Sequence, residues 1–318
     1  MENNASLNLV ILGADTAAGR ETVRQAVVRG HHVTAFVRGS DHAAWVREAG
    51  ALPAYSDSTR AGELKSILTM AQANAIIDLS PTEGYGFPLR SADEHAIERI
   101  LTRGATALVE AAAEAGAPFV VYVSSAVLYG DQHGAAVDEH SHAHPDPLFR
   151  TLAQAEKHVL GGSVPACALR AGFVYGPGDA ATTELGEALR HSRAIYVGDG
   201  HATHNWIHAA DLAAAAILAA EQRPAGAILN VVDDEPTSAA AFAATMGKVL
   251  GLEEVSTLTG FMIQFRTTPM QRALLAASAK VQNGAAKQTL GWSPRYPSQK
   301  AGLDQTFLHW RAEMQIKA

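Results

Sequence analysis

Apolar residues in the first half of the chain fall into short unbroken runs, separated by stretches where they recur every third or fourth position. Residues 7–12 (LNLVIL) form the first run, and Gly13 ends it. From 20 to 28 the spacing is helical, Gly30 closes the segment, and residues 32–37 (HVTAFV) form a second run. Strand, glycine turn, helix and strand within about thirty residues describe a βαβ unit. The alternation continues through strands predicted over 75–79 (AIIDL), 119–124 (FVVYVS) and 166–169, with helices over 96–115 and 148–160. Apolar strands alternating with helices predict an α/β fold, a doubly wound parallel sheet covered on both faces.

After Gly176 the texture changes. Pro and Gly punctuate shorter segments, with helices predicted over 211–221 and 238–250 and a brief strand over 228–232. The reading is a domain over 1–175 and a smaller C-terminal α/β substrate lobe over 176–318, its chain interleaved with the first.

Composition narrows the function. With 25 Lys+Arg against 32 Asp+Glu, the net charge of −7 offers no general attraction for phosphate backbones, so nucleic acid is not an expected partner. Hydrophobic residues at 47% and charged residues at 18% exclude a disordered chain. One cysteine, Cys167, excludes an intramolecular disulfide framework and a Cys-rich metal site; in its apolar strand it reads as a small buried hydrophobe. No apolar run reaches the roughly 18–20 residues of a membrane span and no signal-peptide pattern opens the chain, so the expectation is a cytoplasmic protein.

The first turn carries the first candidate chemistry. Gly13-x-x-Thr16-x-x-Gly19 joins strand to helix, and glycines there permit a tight bend and close approach of backbone N–H groups to a pyrophosphate. Thr16 takes the middle place, where its hydroxyl could itself bond a phosphate. At the end of the second strand stands Arg38, with no acid before Asp41. An acid there binds the ribose 2′-hydroxyl of NAD, whereas an arginine accommodates the 2′-phosphate of NADP. The residues favour NADP(H) over NAD(H); the plainer alternative is a solvated Arg38.

Several blocks in order, IIDLS at 76–80, VYVSSAVLYG at 121–130, LRAGFVYGPG at 169–178, WIHAADLA at 206–213, ILNVVDDEP at 228–236 and LGWSP at 290–294, resemble the extended short-chain dehydrogenase/reductases of the NAD(P)-dependent epimerase/dehydratase group, along nearly the whole chain. The resemblance implies a Rossmann-type domain that binds the nucleotide through Gly13, Ala14, Thr16, Ala17, Gly19, Arg38, Asp57 (against adenine), Leu79, Ser80, Ala171 and Val174. It implies Ser125, four before Tyr129, as the catalytic serine that holds the reacting oxygen.

The family's Tyr-x-x-x-Lys pair is absent. Alignment on Ala155-Glu156 puts Leu148 and Leu152 at its two places; a one-residue slip gives Phe149 and Ala153. Leucines donate no proton and fix no ribose by hydrogen bonds. Tyr296–Lys300 has the literal spacing, but Pro297 follows its tyrosine and it lies far downstream. Tyr85, in the loop expected to overhang the cleft, and Tyr129 and Tyr175, within the matching blocks, are the candidate substrate-side tyrosines. The run His133, His140, His142, His144 reads mainly as a solvated polar loop, with a catalytic imidazole or one side of a metal site as the sharper alternatives; no metal ligand set is assigned. His208 and Asp211 read as cap and anchor of a helix. Arg170 reads equally as a partner of backbone carbonyls or of the cofactor.

Two functions stay open. One is an NADP(H)-dependent oxidoreductase or epimerase/dehydratase acting on a small carbonyl or hydroxyl compound through a non-standard acid or water. The other is a catalytically inactive NADP(H)-binding regulator or accessory subunit of a larger complex. Relatives often dimerise through helices equivalent to 96–115 and 148–160, so a homodimer is also expected.

Overall fold

The computed structural model describes residues 6–55, 57–87, 93–116, 118–198, 200–258 and 267–316. Seven strands form the main sheet: Asn8–Leu12 (β1), His32–Phe36 (β2), Leu52–Ala54 (β3), Ala75–Asp78 (β4), Phe119–Ser125 (β5), Ala166–Ala171 (β6) and Ile228–Val231 (β7). All pair in parallel, in the spatial order β7-β6-β5-β4-β1-β2-β3. The order reverses between β1 and β4, the place where a doubly wound sheet opens a crevice at its strand ends.

Alternation along β5 shows how both faces are covered. Val120 and Tyr122 enter one core with Leu64, Leu108 and Leu152 from helices Ala61–Met70, Ala105–Glu114 and Arg150–Leu160. Phe119, Val121 and Val123 enter the other core with Val23 and Leu212 from helices Ala17–Val28 and Ala209–Gln222. Helix Ala209–Gln222 and β7 lie beyond residue 176 yet complete the main sheet and its covering layer.

Two departures from the apolar pattern have local causes. The edge strand β3 and helix Ala61–Met70 were not legible: β3 has three residues, includes Pro53 and leaves Leu52 exposed, too short for an alternation signal and at an edge where proline is tolerated. The helix predicted over 96–115 is instead helix Glu94–Arg99, a π-helical turn Ile100–Gly104 and helix Ala105–Glu114.

The smaller lobe is built from short strand pairs and helices around an aromatic cluster. Trp206 stacks on Phe242 with ring centroids 3.7 Å apart, and Phe173, Phe87 and Tyr175 pack edge-on or tilted around them. Asp211, from helix Ala209–Gln222, accepts the backbone N–H groups of Arg295 and Tyr296 at 2.9 Å each, tying the late chain to the sheet. His208 caps that helix, its Nδ1 accepting from Ala210 N–H at 3.2 Å. Among the described residues no helix is long and apolar enough to cross a membrane.

Candidate active site

The turn after β1 is shaped by its glycines. Gly13 sits at φ +71°, and a Cβ there would lie 2.6 Å from the backbone nitrogen of Ser80. The loops after β1 and β4 therefore touch backbone to backbone, at Gly13 and Leu79-Ser80. A Cβ on Gly19 would strike the carbonyl oxygen of Gly13. Thr16 caps helix Ala17–Val28: its hydroxyl accepts from Gly19 N–H and donates to Gly13 O, both at 2.9 Å. The hydroxyl proton is thus used inside the turn, which corrects the expectation that it bonds a phosphate. Ala14 is buried beneath the turn. Ala17 and Ala18 line the cleft, at the helix end whose first N–H groups lack intrahelical acceptors and carry the positive end of the dipole. The absent side chains and the helix start that lines the cleft fit a pyrophosphate.

The cleft has a volume of about 340 Å³, bounded by residues 15–18, by Arg38, by residues 82–84 and, from the other side, by Val174, residues 178–181 and helix Pro269–Ala276. Arg38 donates its backbone N–H to Asp15 Oδ2 at 2.8 Å. Its guanidinium lies 3.6 Å from Asp15 and 3.4 Å from Glu83, with the side chain 67% exposed. His42 Nδ1 stands 2.9 Å from the other Asp15 oxygen, out of line for a hydrogen bond. Two potentially cationic side chains thus gather at the end of β2 around one nearly buried carboxylate. Burial raises the Glu83 pKa, and Arg38 opposes that shift. Asp15, His42 and Glu83 went unrecognised in the sequence, because only the strand order brings residues after β1, β2 and β4 to one point.

Asp57 does not line this cleft. Its carboxylate accepts from the hydroxyl and backbone N–H of Thr59 at 2.6 and 3.0 Å, which holds its pKa below the usual value. It organises the entry to helix Ala61–Met70.

At the far end of the crevice Ser125 closes β5 in register with Ala171 of β6. Ser125 is buried, and its Oγ accepts from Val127 N–H at 3.3 Å. Beyond Ala171, a Cβ on Gly172 would lie 2.7 Å from the carbonyl oxygen of Asn205, and that oxygen accepts from Phe173 N–H at 2.7 Å. A cavity of about 20 Å³ remains here, with Ala126, Val127, Ala171, Gly172, Phe173 and His204 in its wall.

Helix Arg150–Leu160 is pinned beside this point by a buried ion pair. Arg170 of β6 donates to Glu156 through Nη2 at 2.6 Å and Nε at 3.1 Å, while its guanidinium lies 4.9 Å from the centre of the Tyr129 ring. Arg170 is therefore paired with a carboxylate of the neighbouring helix rather than with backbone carbonyls. In this register Leu152 is completely buried in the core and Leu148 is exposed on the preceding turn.

The three candidate tyrosines also turn away from the cleft. Tyr85 is buried with its ring edge-on to Phe149 at 6.0 Å, and burial raises its pKa. Its neighbours Thr82–Gly84 and Phe87 line the cleft instead. Tyr129 donates to Asn230 Oδ1 and Tyr175 to Asp233 Oδ2, each at 2.9 Å inside the fold. His133, His140, His142 and His144 are exposed, and among the described residues no group of three or more metal-ligating side chains gathers. Lys300 of the downstream Tyr296–Lys300 spacing pairs with Asp304 at 2.8 Å.

Comparison with known proteins agrees with this geometry. The model of the 3-beta hydroxysteroid dehydrogenase/isomerase family matches residues 57–260. A 3-diazoavenalumate denitrifying reductase from a Streptomyces species is 27% identical over 311 residues, covering 93% of this chain and 99% of its own. A 4-hydroxy-2-methyl-3-oxo-4-farnesyl-3,4-dihydroquinoline-1-oxide ketoreductase from Stigmatella aurantiaca is 26% identical, covering 92% and 94%. Human epimerase family protein SDR39U1, solved with NADPH, superimposes with a TM-score of 0.75 at 23% identity, covering 94% and 99%; other proteins of this fold were solved with NAD. This chain belongs to the 3-beta hydroxysteroid dehydrogenase/isomerase family, NAD(P)-dependent enzymes of the extended short-chain dehydrogenase/reductase type.

Proposed function

We propose that the protein is an NADPH-dependent reductase of a small organic electrophile, a carbonyl compound or a similarly polarised acceptor. The observation that carries this reading is the pairing of Ser125 with Ala171 at adjoining strand ends, at the other end of the crevice from a phosphate turn that fits a dinucleotide. The two relatives matched over almost their whole length are named as a denitrifying reductase and a ketoreductase, which favours reduction over epimerisation. When bound, the cofactor supplies hydride from C4 of its dihydronicotinamide ring. The amides at the start of helix Ala17–Val28 hold the pyrophosphate, Val174 and Ala171 border the nicotinamide, and Ser125 Oγ–H bonds the acceptor oxygen. Leu148 and Leu152 contribute neither proton nor ribose contact.

NADPH is favoured by Arg38, exposed at the cleft with His42 behind it. A hydrogen bond to a charged group contributes roughly 1.5–3 kcal/mol, about 10- to 150-fold in affinity. Because Arg38 is largely exposed and already faces Asp15 and Glu83, the low end, about tenfold, is expected. Calorimetric titration with NADPH, NADP⁺, NADH and NAD⁺, on the parent and on Arg38→Ala, tests this. NADPH binding should weaken about tenfold in the variant while NADH binding stays the same. Equal losses for both would remove the phosphate role of Arg38, and failure to bind any of the four would overturn the cofactor assignment. Cofactor binding without turnover of any carbonyl or diazo acceptor would instead mark a binding-only protein.

A further inference from the structure

We propose that His42 tunes the preference for NADPH, acting through Asp15 on the charge that Arg38 offers the cofactor's 2′-phosphate; the proposal rests on the NADPH reading above. Asp15 stands between Gly13 and Thr16 in the turn that fits a pyrophosphate, and it lines the cleft. A carboxylate in that place repels a phosphate ligand. Its side chain is only 4% exposed, so water screens little of the charge.

Two side chains answer that charge, each on a different oxygen. Asp15 Oδ2 accepts the backbone N–H of Arg38 at 2.8 Å and lies 3.6 Å from its Nε. Oδ1 is buried and makes no hydrogen bond, with His42 Nδ1 2.9 Å away but out of line. A buried carboxylate oxygen without a donor is costly unless a positive charge faces it. Imidazole is the side chain that gains and loses such a charge between pH 5 and 8.

Other charged groups complete the cluster. His42 Nε2 lies 3.5 Å from Asp41, which is 81% exposed, and Arg38 Nη1 lies 3.4 Å from Glu83. On the neighbouring helix Ala43–Glu48, Arg20 stacks over the Trp45 ring at 5.0 Å. With His42 neutral, Asp15, Asp41 and Glu83 set three negative charges against Arg38, whose guanidinium is shared between two of them. A proton on His42 pairs Asp15 and frees the guanidinium to meet a phosphate. His42 is not among the described residues of the cleft wall. It is therefore a positioning residue, and Arg38, exposed at the cleft, makes the contact.

Calorimetric titration of the full chain with NADPH and NADH at pH 6 and pH 8 tests this, read as the ratio of the two affinities. A phosphate monoester itself titrates near pH 6, and burial raises the Glu83 pKa against the pull of Arg38. Both contributions persist in His42→Gln, so the difference between parent and variant isolates the imidazole. Relative to that variant, the parent's preference for NADPH should gain about three- to tenfold between pH 8 and pH 6, the scale of one partly screened charge. His42→Lys should keep the pH 6 preference at pH 8. Asp15→Asn should do the same, because its amide oxygen keeps the bond to Arg38 N–H without the charge. Arg38→Ala should remove the effect of His42, and NADH affinity should stay within about twofold of the parent throughout, which also reports an intact turn.

An identical pH dependence in parent and His42→Gln would overturn the proposal. So would a weaker NADPH preference at pH 8 in Asp15→Asn, or equal losses of NADPH and NADH in that variant, which would make Asp15 a strut of the turn. A parent with no NADPH preference at either pH would refute the NADPH reading itself. A preference that depends on Arg38 but not on His42 would refute only the coupling.

Discussion

Glu156→Gln offers a sharp test of how the site is held. Glu156 and Arg170 are 6% and 8% exposed, joined by bonds of 2.6 and 3.1 Å between helix Arg150–Leu160 and β6. Burial works against the Arg170 charge, and Glu156 more than offsets it, so the guanidinium is held above its usual pKa. Removing the carboxylate charge leaves a buried cation facing an amide, with the Tyr129 ring as partial compensation. Breaking one side of such a pair costs about 3–5 kcal/mol. Unfolding entropy of about 2.1 cal/mol/K per residue, over a 318-residue chain, converts this to a fall in Tm of about 4–8 °C. Thermal unfolding by circular dichroism measures it. Glu156→Leu/Arg170→Met, which removes both charges, should recover most of the loss, since apolar replacement of a buried pair is often neutral. A Tm within 1 °C of the parent in Glu156→Gln, or a double variant as unstable as the sum of the single ones, would refute the reasoning.

Gly13→Ala should abolish measurable NADPH binding, because the Cβ would lie 2.6 Å from Ser80 N at a φ of +71°, adding roughly 1–2 kcal/mol of backbone strain to the clash; calorimetry showing parental affinity would contradict the cradle. Burial pushes the His208 pKa down to about 4 in the fold from an ordinary value of 6.5, so the unfolded chain binds a proton first as pH falls. Stability should drop by up to about 3 kcal/mol between pH 6.5 and 4 on this account; His208→Gln should show less of that drop in urea unfolding, and an identical pH dependence would count against it. Leu152→Ala, at a fully buried position, should cost about 2–5 kcal/mol, again read by denaturant unfolding. Cys167, with its thiol pushed up to about 12 by burial, should resist a chromogenic disulfide reagent until the protein unfolds; rapid modification of the native protein would show that the strand is not closed.

Features encoded within a few neighbouring residues were readable from the chain alone. The β1 turn is one: an apolar run, a glycine, a cap residue and another glycine act through φ preference and capping, which are local. The alternation of strands and helices was legible for the same reason. What the chain could not show is which side chains meet once strands from distant segments lie side by side. Arg38 acquires Asp15 and Glu83 as neighbours only because β2 and β4 flank β1. Tyr85 faces the core rather than the cleft because a short 3₁₀ turn directs its ring onto Phe149. Local periodicity specifies the elements, and packing between elements far apart in the chain selects the groups that face the reacting atoms.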